Sequence, residues 1–411
     1  MITVPGDKSI SHRAVMLGAL ADGTTSIRGF LRGADCLSTI DCFRKMGIRI
    51  DEDGNGSVTV HGRGLNGLSA PQDTLYTGNS GTTTRLLCGI LAGQPFDSSV
   101  TGDASICKRP MGRVTRPLSL MGARIENEYC PLLIHGTKLH GIDYSMEVAS
   151  AQVKTALILA ALYADGETVI RETEKSRDHT ELMLKAMGAD IETCGLTVRV
   201  RRTNALRPQD ITVPGDISSA AFFMVLGSIM PESEITIKNV GINPTRTGII
   251  DVMRQMGADI RISGERTEGG EPVADIRAAS SRLRGVEIGG EIIPRLIDEL
   301  PVIAAAAVFA EGRTVIRDAR ELKVKETNRI RAVAEEFTKA GADITETEDG
   351  MIINGGKPIH GADFAVYGDH RMAMSLAILS QLAEGASSID DASCVDVSYP
   401  GFFEDFYGLE N

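Results

Sequence analysis

The same hexapeptide occurs twice in this sequence, 209 residues apart, and this repetition limits what the chain can fold into. Residues 2–7 and 211–216 both read ITVPGD, and Ser9 and Ser218 also match. An identical hexapeptide with the same Pro-Gly-Asp turn is improbable by chance, and the offset is close to half of the 411 residues. The chain is therefore predicted to consist of two homologous halves.

A shorter pattern repeats inside each half. Its first element is a helix end followed by an Asp/Glu-Gly turn and a strand, as at Asp22-Gly23 and Asp165-Gly166. Its second element is a helix that ends in Met-Gly, as at Met46-Gly47 and Met256-Gly257, followed by alternating apolar and polar residues. A sixth copy of that second element would fall beyond Asn411, so the last repeat is truncated. Each repeat of about 68 residues (411/6) is predicted to fold as β-α-β-α-β-β.

These repeats predict an α/β protein of two similar domains with three repeats each. The alternative is a linear array of six repeats, which the identity at half the chain length disfavours. The predicted domains are residues 8–213, and residues 1–7 plus 214–411. The short strand before Pro5 can pair in either domain, and pairing in the second would make the chain cross between the domains twice.

Composition excludes several classes of protein. The 43 basic and 55 acidic residues give a net charge of −12, so nucleic acid is not an expected partner. The seven cysteines contain no Cys-x-x-Cys, which argues against a disulfide framework or a zinc ribbon, and the histidines have no metal-ligand spacing. With no signal-peptide pattern and no apolar run long enough to span a bilayer, we expect a cytoplasmic protein without a metal and without a membrane partner.

The first of four charged clusters begins a predicted helix at residues 7–13, which contain Lys8, Ser9 and Arg13. A helix start offers free N–H groups that favour an anion. The matching segment of the second half has Ile217 and Ala221 where the first has Lys8 and His12. Because the cations occur in only one copy, a ligand site is favoured over a solvated helix start.

The other three clusters each have an alternative explanation. Residues 78–85 (GNSGTTTR) suit close backbone approach to a phosphate or carboxylate, or simply cap a helix. Residues 107–113 (CKRPMGR), with Arg116, are predicted to form a cationic loop that binds an anion or only faces solvent. Residues 323–329 (KVKETNR) and 368–372 (GDHRM) either face a ligand or form buried ion pairs. The carboxylates at 298–299 are candidates for proton transfer.

The order of these motifs resembles that of the 5-enolpyruvylshikimate-3-phosphate synthases from residue 1 to about residue 408. The matching segments are PGDKSISHR (5–13), GNSGTTTR (78–85), KRPMGR (108–113), SAQVK (150–154), SRDHTE (176–181), KVKETNR (323–329) and GDHRMAM (368–374). The resemblance implies two domains of three β-α-β-α-β-β repeats, each an inside-out α/β barrel, with the active site in the interdomain cleft. It also implies a monomer that needs no metal and no cofactor.

The resemblance further implies roles for individual residues. Shikimate 3-phosphate would contact Lys8, Ser9, Arg13, Ser150, Ala151, Gln152, Ser176, Asp298 and Lys325. Phosphoenolpyruvate would contact Lys8, Gly81, Arg109, Gln152, Arg329 and Arg371. Asp298, Glu326 and Lys8 would be the catalytic residues. Three positions depart from the family pattern: Val397 stands where many relatives have Lys, Glu321 where some have Asn, and Ala151 where some have a second Ser.

The implied reaction transfers the enolpyruvyl group of phosphoenolpyruvate to the 5-hydroxyl of shikimate 3-phosphate, with release of phosphate, on the pathway to chorismate and the aromatic amino acids. The herbicide glyphosate, which occupies the phosphoenolpyruvate subsite in this family, is an expected inhibitor. A sister family uses UDP-N-acetylglucosamine and has a reactive Cys where this chain has Ala104. A non-catalytic scaffold of six repeats would not need cations confined to one copy.

Overall fold

The computed structural model describes residues 1–409 as an ordered series of strands and helices. The elements of the first three repeats are β1 (Ile2–Thr3), α1 (Lys8–Leu20), β2 (Asp22–Arg28), α2 (Ala34–Lys45), β3 (Arg49–Glu52), β4 (Val58–Arg63), β5 (Leu75–Tyr76), α3 (Gly81–Ala92), β6 (Ser98–Thr101), α4 (Gly112–Leu120), β7 (Arg124–Glu126), β8 (Leu132–His135), β9 (Asp143–Ser145), α5 (Ala151–Ala161), β10 (Glu167–Arg171), α6 (His179–Ala186), β11 (Ile191–Cys194) and β12 (Thr197–Arg201).

The second half follows the same order. Its elements are β13 (Asp210–Thr212), α7 (Ile217–Ile229), β14 (Glu234–Gly241), α8 (Gly248–Gln255), β15 (Asp259–Glu268), β16 (Glu271–Ala279), β17 (Glu287–Ile288), α9 (Leu300–Phe309), β18 (Arg313–Ile316), α10 (Arg329–Lys339), β19 (Asp343–Glu346), β20 (Met351–Asn354), β21 (Asp363–Phe364), α11 (His370–Ser380), β22 (Ser388–Ile389) and α12 (Phe402–Gly408). The order β-α-β-α-β-β occurs five times in full, and the sixth repeat ends early in α12. The predicted fold class is confirmed.

The sheets repeat one topology. In the second repeat β5 is parallel to β6, and β6 is antiparallel to β8, which pairs with β7. Residues 1–409 form five four-stranded sheets and one two-stranded sheet, and none of these six sheets closes into a hydrogen-bonded barrel. The barrel expected for each domain is therefore an arrangement of separate sheets.

The first and fourth repeats exchange their first strands. Strand β1 is parallel to β14, with Ile2 opposite Ile237, whereas β13 is parallel to β2, with Ile211 opposite Ile27. The N-terminal strand therefore belongs to the second half of the chain, and the last strand before Pro214 belongs to the first. Of the two pairings that the sequence left open for the N-terminal strand, the structure has the one in which the chain crosses twice between the two domains.

The chain divides into two compact units. The first unit consists of Gly6–Val213 together with Glu268–Glu271, and the second of Met1–Pro5, Pro214–Thr267 and the chain from Pro272 onward. The short segment at the turn between β15 and β16 thus groups with the first unit, where buried His179 Nδ1 lies 2.7 Å from Glu271 Oε1. A turn of this length has no hydrophobic pattern, so the sequence did not assign it to that unit.

Each unit has its own apolar core, built on three buried helices. Helices α1, α3 and α5 are buried along nearly their whole length in the first unit, and α7, α9 and α11 in the second. A helix that is apolar on all sides is stable only when it is surrounded by protein. The helices that alternate with these buried ones, such as α4 and α8, bury only one face. No helix in the described part of the chain is long and apolar enough to cross a bilayer.

Glycine ends the amphipathic helices as predicted. Gly47 and Gly257, which follow helices α2 and α8, have φ angles of +84° and +97°. This left-handed conformation closes the last helical turn and is unfavourable for residues with a Cβ. The recurring Met-Gly pairs therefore mark where each such helix must turn back toward its sheet.

Candidate active site

Three helix N-termini in the first unit begin at side chains that cap them. Asp7 accepts from Ile10 N at 2.9 Å before α1, and Ser80 accepts from Thr83 N at 3.1 Å before α3. Ser150 accepts from Val153 N at 3.4 Å before α5. Such helix starts favour bound anions through their partial positive charge and their remaining N–H groups. Each of the three starts lies in a motif that the sequence singled out.

Helix α1 presents Lys8, Ser9 and Arg13. Lys8 forms an ion pair with Asp35 of α2. Arg13 is almost fully buried and donates to Thr180 Oγ1 at 2.7 Å, to Thr155 Oγ1 at 3.0 Å and to Ser9 O at 2.9 Å. Arg13 therefore ties the start of α1 to α5 and α6.

Gln152 joins the starts of α3 and α5. Its Oε1 accepts from Arg85 Nη1 at 2.6 Å, and its Nε2 donates to Thr82 Oγ1 at 3.0 Å. A Cβ built on Gly81 would lie 2.9 Å from Arg85 Nη1 and 3.5 Å from Arg109 Nη1. Two guanidinium groups thus lie beside Gly81, of which the sequence assigned a role only to Arg109.

The loop before α6 holds Ser176. Its hydroxyl donates to Glu172, and its backbone N donates to the same carboxylate oxygen at 3.0 Å. Glu172 is in turn 3.0 Å from the ammonium group of Lys154, whose side chain is fully buried. Lys154 and Glu172 were given no role from the sequence, although Lys154 ends the SAQVK segment.

The prediction of a loop for the cationic cluster at 107–116 is partly wrong. Lys108 ends a short 3-10 turn and Arg109 is extended, but Arg113 and Arg116 lie on helix α4. The 3-10 turn ends before Pro110, but helix α4 begins two residues after this proline, at Gly112. Arg116 makes an exposed ion pair with Glu128 at 2.8 Å, whereas Arg109 donates to Asn79 Oδ1 at 2.5 Å beside α3.

The second unit gathers Asp298, Lys325 and Glu326 around Arg329. Asp298 Oδ1 accepts from Lys325 Nζ at 3.1 Å and from Arg329 Nη1 at 3.4 Å. Arg329 Nη2 also donates to Glu326 Oε2 at 2.7 Å. Asp298, Lys325, Glu326 and Arg329 thus form one connected cluster of charged groups.

Asp369 completes this cluster, and the sequence did not assign it a role. Its two oxygens accept from Arg329 Nε at 2.8 Å and Nη2 at 3.1 Å. Burial lowers the pKa of the Arg329 guanidinium, but the charges of Asp369, Glu326 and Asp298 outweigh that effect and raise this pKa above its usual value. Arg329 therefore does form buried ion pairs, the alternative to a ligand contact that the sequence left open.

Arg371 belongs to a second group of charges in the same unit. Its Nη1 lies 3.9 Å from Glu299 Oε1, and Glu299 accepts from the hydroxyl of Ser218. Arg246 donates to Asp216 Oδ1 at 3.0 Å and to Ser218 Oγ at 2.8 Å. The second ITVPGD segment therefore does have a cation beside it, supplied by a residue 30 positions further along the chain.

The predicted site residues thus divide between the two units. The first unit contains Lys8, Ser9, Arg13, Gly81, Arg109, Ser150, Ala151, Gln152 and Ser176, and the second contains Asp298, Lys325, Glu326, Arg329 and Arg371. In the second unit ion pairs link four of these residues directly, whereas in the first unit most of them contact other residues of the same helix starts and loops. No cluster of His, Cys, Asp or Glu suited to a metal ion occurs among the described residues.

A family model and named relatives match the chain over almost its whole length. The model of EPSP synthase (3-phosphoshikimate 1-carboxyvinyltransferase) matches residues 1–406. A 3-phosphoshikimate 1-carboxyvinyltransferase from Geobacillus kaustophilus is 58% identical over 415 residues, covering 100% of this chain and 97% of that protein. The enzyme of the same name from Desulforamulus reducens is 56% identical over 405 residues, covering 98% and 94%.

Solved structures agree with these sequence matches. EPSP synthase from Acinetobacter baumannii superimposes with a TM-score of 0.88 at 47% identity, covering 98% of this chain and 94% of that chain. The enolpyruvyl transferase NikO from Streptomyces tendae has a TM-score of 0.81 at 17% identity, covering 100% and 94%. At that identity the second likeness concerns the fold alone.

Proposed function

This chain belongs to the EPSP synthase (3-phosphoshikimate 1-carboxyvinyltransferase) family, and from that premise we propose how its residues share the family's reaction. The enzyme transfers the enolpyruvyl group of phosphoenolpyruvate to the 5-hydroxyl of shikimate 3-phosphate. The products are 5-enolpyruvylshikimate 3-phosphate and phosphate, in the shikimate pathway to chorismate and the aromatic amino acids. The proposal concerns which residues hold each substrate and which move protons.

The three linked helix starts of the first unit are the observation that supports a site for anionic substrates. The hydrogen bonds of Arg13 and Gln152 hold the N-termini of α1, α3 and α5 together. Shikimate 3-phosphate contacts Lys8, Ser9, Arg13, Ser150, Ala151, Gln152 and Ser176 in this unit, with Asp298 and Lys325 from the second. A phosphate dianion is well matched to such a set of N–H, hydroxyl and cationic donors.

Phosphoenolpyruvate has a phosphate and a carboxylate, and it requires cations for both. We assign it to Lys8, Gly81, Arg109 and Gln152 of the first unit and to Arg329 and Arg371 of the second. The two guanidinium groups beside Gly81 support this assignment, because they place positive charge next to the glycine. Arg329 stays paired with carboxylates in the proposal, and its positive charge offsets part of the negative charge of Asp298, Glu326 and Asp369.

The reaction consists of an addition and an elimination. The 5-hydroxyl oxygen bonds to C2 of phosphoenolpyruvate while C3 gains a proton, and the tetrahedral intermediate then loses a C3 proton and phosphate. Asp298 accepts the hydroxyl proton in its carboxylate form, the form that pairs with Lys325 and Arg329. Lys8 and Glu326 exchange protons at C3 and at the leaving phosphate.

We also propose the domain organisation, the oligomeric state and the location of the enzyme. The two compact units are its domains, both contribute residues to the reaction, and the enzyme is a cytoplasmic monomer without metal or cofactor.

Phosphate release from phosphoenolpyruvate by the purified chain tests the reaction directly. We expect release with shikimate 3-phosphate and none with UDP-N-acetylglucosamine, and the opposite preference would contradict the proposal. The substitution Asp298→Asn should lower kcat by about 100- to 10,000-fold, as expected for loss of a general base. The matched control is Asp343→Asn in the same unit, where a partly exposed carboxylate pairs with Lys357, and its kcat should not change.

A further inference from the structure

A fully buried lysine next to the proposed shikimate 3-phosphate residues has no part in the reaction described above. Lys154 lies on α5, two residues after Gln152, and its side chain has 0% exposure. Its ammonium nitrogen is 3.0 Å from Glu172 Oε2, 2.7 Å from Glu181 Oε1 and 3.3 Å from the carbonyl oxygen of Ser176. A lysine in such a place requires a reason, because burying a charge costs free energy unless partners compensate.

The contacts of Lys154 close the loop that holds Ser176. Glu172 begins this loop and accepts from both the backbone N and the hydroxyl of Ser176. Lys154 binds the other oxygen of Glu172 and the carbonyl of Ser176. Both ends of the loop are therefore held by one buried lysine, and the position of the Ser176 hydroxyl depends on it.

The charges of Lys154, Glu172 and Glu181 also affect the binding of a negatively charged substrate. Glu172 and Glu181 are buried carboxylates close to a serine assigned to a phosphorylated ligand. Without the lysine, two buried negative charges would repel a phosphate dianion across a medium that screens them poorly. The positive charge of Lys154 offsets one of these two negative charges, so it favours binding of the phosphate dianion without contacting it.

We propose that Lys154 and Glu172 are positioning residues for shikimate 3-phosphate, which hold Ser176 in place and keep its surroundings compatible with a phosphorylated ligand. The inference rests on the proposed function, because it assigns Ser176 to that substrate. It is specific to one of the two substrates, since neither Lys154 nor Glu172 contacts Gly81, Arg109 or another residue assigned to phosphoenolpyruvate alone.

A double-mutant cycle on the full-length enzyme tests the inference. The dissociation constant for shikimate 3-phosphate is measured by calorimetry for the wild type, Glu172→Gln, Ser176→Ala and the double variant, and the KM for phosphoenolpyruvate by phosphate release. Glu172→Gln keeps the shape of the side chain and leaves Lys154 paired with Glu181, so this variant should fold. We expect shikimate 3-phosphate to bind about tenfold more weakly, the size of one lost charged hydrogen bond, with little change in the KM for phosphoenolpyruvate.

The cycle separates positioning from general destabilisation. If Glu172 acts through Ser176, the two substitutions are not additive, and adding Glu172→Gln to Ser176→Ala weakens binding by less than about twofold. Lys154→Met, measured in the same way, should weaken binding at least as much as Glu172→Gln. The matched control is Tyr163→Phe, which removes a partly buried hydrogen bond to Leu65 O in the same unit and should leave both constants unchanged.

Three results would overturn the inference. Additive effects would show that Glu172 does not act through Ser176, and equal losses for both substrates would indicate damage to the whole site. Unchanged binding in Ser176→Ala would remove Ser176 from the substrate site. The proposed function fails separately, because it requires that the wild type release phosphate only in the presence of shikimate 3-phosphate.

Discussion

Arg329 and Asp369 form a two-point ion pair in which both side chains are almost completely removed from solvent. The two N–H···O distances are 2.8 and 3.1 Å, and the side chains are 1% and 0% exposed. Asp369 also caps helix α11 by accepting from Arg371 N at 2.9 Å. One carboxylate therefore holds the Arg329 guanidinium and the backbone at Arg371, two residues that we assign to phosphoenolpyruvate.

Replacing Asp369 should reduce both stability and activity. Asp369→Ala leaves the buried guanidinium with fewer partners, so we expect unfolding in urea to show a loss of about 3–5 kcal/mol. The KM for phosphoenolpyruvate should rise in the folded fraction, because Arg329 and the start of α11 both lose an anchor. The control is Glu335→Ala on α10, whose exposed pair with Arg331 should contribute little to the free energy of unfolding. Equal losses in the two variants would refute this account of the buried pair.

His12 should make the enzyme less stable in mild acid. Its ring is buried, and burial, with the nearby charges of Lys8 and Arg13, holds its pKa well below the usual 6.5. In the unfolded chain the same ring takes up a proton near pH 6.5, so the unfolded state binds more protons as the pH falls. Stability should decline below that pH by at most about 1.4 kcal/mol per pH unit from this group.

The substitution His12→Gln isolates this effect, because glutamine does not titrate. Its unfolding free energy should fall less steeply between pH 6.5 and pH 5 than that of the wild type. His135 provides an opposite control, since its hydrogen bonds to Asp97 and Glu126 raise its pKa. His135→Gln should remove a contribution that favours folding in acid and is lost as the pH rises. Identical pH profiles for the wild type and His12→Gln would contradict the prediction.

Gly81→Ala should weaken phosphoenolpyruvate binding and glyphosate competition. The added Cβ would lie 2.9 Å from Arg85 Nη1, so that guanidinium must shift, and 3.5 Å from Arg109 Nη1, so the methyl group itself would occupy space beside Arg109. We expect the wild type to show competition between glyphosate and phosphoenolpyruvate in phosphate-release assays, and the variant to show less. In the control, Gly408→Ala, a Cβ would meet nothing within 4 Å, and inhibition should not change. If Gly81→Ala leaves inhibition unchanged, Gly81 does not line the phosphoenolpyruvate subsite.

Cys107 should be dispensable for catalysis. Its sulfur lies 3.6 Å from the carbonyl of Gly102 and 3.7 Å from the hydroxyl of Thr101, and the proposed addition and elimination need no covalent bond to sulfur. Cys107→Ser should keep most of the wild-type kcat/KM, as should the exposed control Cys194→Ser. A loss of more than about 100-fold in Cys107→Ser alone, equivalent to about 2.7 kcal/mol of barrier, would indicate a nucleophilic cysteine.

The sequence by itself determined the repeat architecture. Glycines with positive φ at 47 and 257 end their helices, and the motifs at residues 8 and 81 begin helices as predicted. These features depend on contacts within one or two turns of chain, so their pattern is readable from neighbouring residues. The family resemblance rested on the same local segments, and the match over residues 1–406 confirms it.

Only the tertiary structure decided which distant groups meet. The exchange of β1 and β13 could not be chosen from the sequence, because both strands begin the same ITVPGD pattern. The hydrogen-bond partners of Arg13 and Arg329 lie up to 167 and 40 residues away along the chain. Lysine is a residue type usually found at the surface, yet Lys154 is buried. Ion pairs of this kind depend on how the helices pack against one another, and hydrophobic periodicity contains no information about which opposite charges that packing brings together.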